Sequence, residues 1–115
     1  MDTLPIKIQK RMLLDIISNE QEVKENLLIL QKTYREQKID SLYHQLNEEF
    51  ETFDKYESLF ITDRNQKWLP ILEENFLINS CFVAVGAGHL GGPNGLLQLL
   101  SSKGYHLKPI YFKKK

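Results

Sequence analysis

The sequence predicts an α+β fold: a mainly helical N-terminal part over residues 1–77, followed by a C-terminal parallel βαβ unit over residues 78–115. Three observations carry this prediction. Apolar residues recur at helical spacing through the first two thirds of the chain. A short apolar run, Cys81-Phe82-Val83-Ala84-Val85, then breaks that period, with β-branched or aromatic residues at three of its five positions. A glycine-dense turn and a leucine-rich segment separate this run from a second extended stretch, His106 to Phe112. Strand, helix and strand with short links imply parallel strands and a right-handed crossover.

The helical part divides into four. Thr3 and Pro5 are start signals, because proline is preorganised for the first helical turn. Ile8, Met12, Leu13 and Ile16 follow on one face. Ser18-Asn19 interrupts, and Asn19 with Glu22 has the spacing of a capping box. Val23, Leu27, Leu30 and Tyr34 fall at i, i+4, i+7 and i+11, again one helical face. Asp40 or Ser41 suits the cap of a third helix carrying Leu42, Leu46, Phe50 and Phe53. Asp63 suits the cap of a fourth, with Trp68, Leu69, Leu72 and Phe76. Pro70 conflicts with that helix, since an interior proline removes a hydrogen bond and crowds the preceding turn. The helix either starts after Asp63 or kinks at Pro70. These apolar stripes are expected to form core, and the Glu, Lys and Gln faces opposite them to meet solvent.

In the second part, Cys81-Val85 has no polar alternation and reads as a strand buried on both faces. Cys81 is the single cysteine, which rules out an internal disulfide and leaves it as a small buried hydrophobe. Leu96, Leu97, Leu99 and Leu100 form a short helix ended by Lys103 and an αL cap at Gly104. Two parallel strands buried on both faces do not make a stable sheet by themselves. The chain is therefore expected to belong to a larger domain or to complete its sheet with a partner.

Composition narrows the function classes. The chain has 115 residues and zero formal net charge, which gives no global attraction to nucleic acid or an anionic membrane. The charge is unevenly placed: residues 1–60 carry 8 Lys and Arg against 12 Asp and Glu, and residues 61–115 carry 7 against 3. Lys113, Lys114 and Lys115 read as a solvated end. Neither a signal peptide nor a run long enough to span a membrane is visible in this chain.

The glycine turn admits three readings. Gly86-x-Gly88-x-x-Gly91 spells the dinucleotide fingerprint, in which glycines let the backbone approach a pyrophosphate at a helix N-terminus. Gly91-Gly92-Pro93 delays the helix, however, and the end of the second strand offers Tyr111, Phe112 and lysines where a ribose-binding acid is needed. Alternatively the turn only reverses the chain. The third reading places chemistry at His89, just beyond the C-terminal end of a buried strand, with Gly86 and Gly88 removing side chains that would screen it. A neutral imidazole there suits a metal ligand or proton shuttle. One histidine does not make a metal site, which takes about three protein ligands when catalytic. His44 and His106 read as surface or strand-end residues.

Arg64 also invites a role. Behind an Asp63 cap it would stand in the first helical turn, where the macrodipole disfavours a cation. That placement suits a donor to a substrate oxygen or a ligating carboxylate; the alternative is a surface ion pair.

The stretch Phe82-Val83-Ala84-Val85-Gly86-Ala87-Gly88-His89-Leu90, followed by Gly92, Gly95-Leu96-Leu97, Leu99-Leu100 and Gly104-Tyr105, resembles the closing signature of the TraB/GumN family. That family includes the PrgY-like pheromone-shutdown proteins and the Tiki metalloproteases. Upstream, Arg64-Asn65-x-x-Trp68 resembles its Arg-Asn-x-x-Trp segment at the expected distance. The specific match runs from about residue 60 to 110; the earlier helices match loosely. The resemblance implies that residues 1–115 are the C-terminal portion of a TraB/GumN-like domain. It implies a metal-dependent hydrolase of the peptidase type, whose site combines two Gly-x-x-His motifs, a Glu and an Arg. Gly86 to His89 would be the second Gly-x-x-His, with His89 as metal ligand or base. Arg64 would be the Arg, supported by Asn65, Trp68, Gly86 and Gly88. The first Gly-x-x-His and the Glu are not found in this chain, so the chain alone is expected to be inactive. Its partner would be the N-terminal half or another polypeptide, and its substrate a peptide or protein. Family members are often exported or membrane-tethered. The alternatives are a noncatalytic helical interaction module and a nucleotide-binding βαβ unit.

Overall fold

The computed structural model describes residues 4–49 and 56–112. Four α-helices run in order: α1 (Ile6–Ser18), α2 (Glu20–Arg35), α3 (Ile39–Glu49) and α4 (Asp63–Ile78), the last entered through a π-helical turn at Ser58–Thr62. A 3-10 turn at Ala87–His89 and a short helix α5 (Leu96–Ser102) complete the fold. Among the described residues there is no strand. The expected α+β architecture is therefore wrong: this is an all-helical arrangement, and the βαβ unit does not form.

The reason lies in what the two extended segments meet. Residues 80–86 and 105–112 are in neither helix nor strand, and no ladder joins them. Gln37, at the α2–α3 turn with φ 60°, takes the end of the second segment instead. Its side-chain amide accepts from Phe112 N–H at 3.1 Å and donates to Phe112 C=O at 3.2 Å. That ties the end of the segment to the α2–α3 turn. Cys81 is exposed rather than buried, and its thiol faces the carbonyls of Asn75 and Asn79.

Most helix signals have local counterparts, with corrections. Pro5 precedes α1 as its N-cap; Thr3 lies outside the described residues. Asn19 does not form a capping box with Glu22. Its backbone and side-chain N–H groups both return to Asp15 C=O, so it closes α1. Neither Asp40 nor Ser41 precedes α3, which already includes both. Asp63 is not a side-chain cap either: its N–H bonds Ser58 C=O, and the helical run is continuous from residue 57 to Ile78. That run passes through Pro70, which faces solvent, as does Gln66, whose carbonyl loses the proline's missing donor. After α5, Gly104 has φ 95°, Tyr105 N–H bonds Leu100 C=O and Gly104 N–H bonds Ser101 C=O. These two bonds define the Schellman motif that Lys103-Gly104 foretold.

The core is small. Leu42 of α3, Ile61 of the π-helical turn, Leu69 of α4 and Leu96 of α5 are its buried apolar residues among those described. Phe76 of α4 meets Tyr105 edge to face, with ring centroids 5.6 Å apart. The stripe expected on α1 is not core: Leu13 and Ile16 are exposed, and α1 packs chiefly along α2. On α2, Val23 and Leu30 are half-buried while Leu27 and Tyr34 are exposed. Phe50 and Phe53 lie outside the described residues. The molecule measures 49 × 42 × 20 Å, with a radius of gyration of 16.2 Å. A compact domain of this length would have about 13 Å.

Candidate functional site

The site is built by α4 and the glycine loop that precedes α5. Asn65, Leu69, Leu72 and Phe76 repeat at i, i+4, i+7 and i+11 along the inner face of α4. Arg64 and Trp68, one turn apart, form the neighbouring rim. The loop folds back against this face. His89 N–H bonds Gly86 C=O at 3.0 Å, Leu90 N–H bonds Ala87 C=O at 3.1 Å, and Gly95 N–H bonds Gly92 C=O at 3.1 Å. Two successive turns thus replace the strand-to-helix bend that the sequence suggests.

Asn65 joins helix and loop. It is fully buried, at 0 % exposure. Its Nδ2 donates to His89 C=O at 3.1 Å and to Asn94 C=O at 2.9 Å. Its Oδ1 lies 2.9 Å from His89 Nδ1. His89 is half-buried, its ring 4.7 Å from the Trp68 ring at a tilt of 40°. Arg64 lays its guanidinium over the Trp68 ring, 5.2 Å from its centroid. Burial, followed by the charge of Arg64, holds the His89 pKa below the ordinary imidazole value of 6.5. The imidazole is therefore biased towards its neutral form, the form that ligates metals and accepts protons.

Arg64, Asn65, Trp68 and His89 are thus brought together by residues 24 positions apart. The argument from the macrodipole does not survive, because the helical run begins before Arg64 and the dipole acts only within the first turn. Arg64 is instead an exposed cation braced on Trp68. Gly86 and Gly88 sit in the same loop but are not its tightest points. A Cβ on Gly86 would come no closer than 3.8 Å to His89, and one on Gly88 would rest 3.5 Å from Leu46. The demanding positions are Gly91, Gly92 and Gly95. A Cβ on Gly92, whose φ is 81°, would enter the Tyr43 ring; one on Gly95 would overlap the carbonyls of Leu90 and Gly91. Sequence reasoning treated these as turn glycines and missed Tyr43 and Asn94 altogether. Glycine density was the available signal for the first group. Nothing local marks Tyr43, which reaches the loop from α3.

The dinucleotide reading loses its structural context. Among the described residues no strand precedes Gly86, and α5 begins only at Leu96, far past the fingerprint. His44 and His106 are exposed.

Comparison with protein families decides the chain's relationship. The model of the TraB/PrgY/gumN family matches residues 1–109. The chain belongs to this family. Comparison with curated proteins and with solved structures gave no match. The family match extends across α1 to α3, beyond the two motifs around Arg64 and His89.

For the divalent metal that the TraB/GumN resemblance implies, the residues present fit one ligand position. His89 Nε2 has no hydrogen-bond partner among the described residues, and the other ring nitrogen is held by Asn65, as a hydrogen-bond acceptor holds the far nitrogen of a metal-ligating imidazole. No cluster of three His, Cys, Asp or Glu side chains occurs among the described residues. No helix there is long and apolar enough to cross a membrane.

Proposed function

We propose that this TraB-family chain supplies an imidazole and a guanidinium to a composite, metal-dependent hydrolytic site acting on peptides, and is inactive alone. The observation that carries this reading is that Arg64 and His89 both pack against Trp68, with no hydrogen-bond partner at His89 Nε2 among the described residues. Another polypeptide segment would contribute the further Gly-x-x-His and the Glu. A divalent metal bound there would polarise a carbonyl and lower the pKa of water. His89 would serve as one ligand or as a proton acceptor. Arg64 would donate hydrogen bonds to a carbonyl oxygen gaining negative charge, or to a ligating carboxylate. Trp68 would limit the guanidinium's freedom, so less entropy is lost when those bonds form.

The exposed apolar surface supports a polypeptide partner. Phe82, Ile110 and Phe112 of the extended segments are each more than four-fifths exposed. Covering them would contribute about 2 kcal/mol apiece. In the test, a polypeptide pairing this chain with a second Gly-x-x-His and a Glu is assayed for metal-dependent peptide hydrolysis. His89→Ala and Arg64→Gln should each lower kcat/KM by about 10²-fold or more, the cost of removing a charge-stabilising group. Full activity in His89→Ala would refute the reading.

A second reading is favoured by a different observation. Leu13, Ile16 and Ile17 of α1 and Leu27, Leu28 and Ile29 of α2 are exposed. Such a surface suits a noncatalytic module that docks through its helices. Under that reading His89→Ala changes nothing, whereas Ile17→Asp and Leu28→Asp abolish association with the partner.

A further inference from the structure

Asn65 has three polar partners and no exposed surface. Both of its Nδ2 contacts are carbonyl oxygens, those of His89 and Asn94, which only accept. Turning the amide over would set its oxygen against two oxygens in a site that excludes water. The amide therefore has one orientation, and Oδ1 is the atom 2.9 Å from His89 Nδ1. A carbonyl oxygen accepts and does not donate, so the hydrogen in this bond belongs to the ring.

We propose that Asn65 locks His89 in the Nδ1–H tautomer, which makes Nε2 the nitrogen that ligates or accepts a proton, and makes Asn65 a positioning residue of the site. Free imidazole prefers the opposite tautomer, so the choice is imposed. The same amide grips the backbone of His89 and of Asn94, fixing the ring and the loop that carries it as one unit. The stacked Trp68 ring restricts rotation from the side. A half-turn of the imidazole would present Cδ2–H to Oδ1 and forfeit the bond. A carboxylate at position 65 would still accept from Nδ1 but would offer nothing to the two carbonyls; a hydroxyl has a single hydrogen for them. The carboxamide alone serves all three.

The catalytic meaning of this role rests on the composite-site reading; the tautomer does not. The test is two-bond ¹H–¹⁵N NMR of the imidazoles in the whole chain, at a pH where they are neutral. In the wild type, His89 should show a protonated Nδ1 and a bare Nε2. The exposed His44 and His106 should show the Nε2–H-rich mixture of free imidazole and act as internal references. Asn65→Asp keeps the acceptor and should keep the tautomer. Asn65→Leu removes it and should return His89 to the solution mixture, with Leu69 and Leu96 amide signals reporting that the fold persists. Dominant Nε2–H in wild-type His89, or Nδ1–H retained in Asn65→Leu, would overturn the proposal. Should Asn65→Leu unfold, the wild-type spectrum decides alone. A locked Nδ1–H ring that confers no metal affinity on the paired polypeptides would end the hydrolase reading and leave the role of Asn65 standing.

Discussion

A methyl group separates glycines that matter here for different reasons. At Gly95 it would collide with the backbone of Leu90 and Gly91, which cannot retreat without breaking the loop. Gly95→Ala should cost about 3 kcal/mol in chemical denaturation, the upper range for overpacking. Gly86 has φ −61° and ψ 142°, angles open to any residue, and space around its missing Cβ. Gly86→Ala should stay within about 0.5 kcal/mol. Equal losses at both positions would show that the loop is not packed as described. His89 makes a separate prediction. Its pKa is depressed in the folded state by burial and by Arg64. Below the ordinary imidazole value of 6.5, the unfolded chain therefore binds the extra proton more readily. The stability that His89 contributes is complete above that pH and is lost as pH falls through the folded pKa. Thermal unfolding of the wild type should weaken on acidification across this window more than that of His89→Gln. Identical profiles would contradict the depressed pKa. At this scale the sequence was informative about identity: His89, Arg64, Asn65 and Trp68 stand out by motif and spacing. It was silent on Tyr43 and Asn94, because their roles depend on a ring from α3 and on a backbone carbonyl, neither of which leaves a local pattern.

Helices were legible where period alone decides and less so where caps or tertiary partners do. The leucine-rich α5 and its Gly104 stop were read correctly, since a left-handed residue after a short helix has a strong glycine preference. Gly104→Ala should cost about 1 kcal/mol through φ 95° alone, as nothing lies within 4 Å of the added Cβ. Leu96→Ala, at a residue 3 % exposed, should cost about 3 kcal/mol and loosen α5 from α4. Both are read by urea unfolding, and a reversed order would place the stability of α5 in its cap rather than its packing. The extended segments were misread. Cys81-Val85 and His106-Phe112 have strand composition, yet composition does not supply a neighbour. A strand exists only as part of a ladder, and Gln37 holds Phe112 elsewhere. The start of α4 was misread for a related reason: a π-helical turn extends the helix backwards, so Asp63 has no free end to cap.

Taken whole, the molecule is 20 Å in its shortest dimension, and large apolar side chains of α1, α2 and residues 105–112 are exposed. The sequence led to the expectation of a larger domain or a partner through an unsupported sheet; that sheet does not form, and the described residues have a small helical core with exposed apolar side chains instead. A chain of this shape should bind a hydrophobic dye such as ANS while fully folded by circular dichroism. A polypeptide bearing the second Gly-x-x-His and Glu, the partner proposed above, should displace the dye, whereas absence of dye binding would argue that these surfaces are covered within the chain. The composite-site account itself meets its most direct test in a calorimetric titration of zinc into this chain alone, into its mixture with the polypeptide bearing the second Gly-x-x-His and Glu, and into the same mixture made with His89→Ala. The account predicts no tight stoichiometric binding by the chain alone, one ion per pair in the mixture, and loss of that ion with His89→Ala. Tight one-to-one binding by the isolated chain that survives the substitution would contradict it.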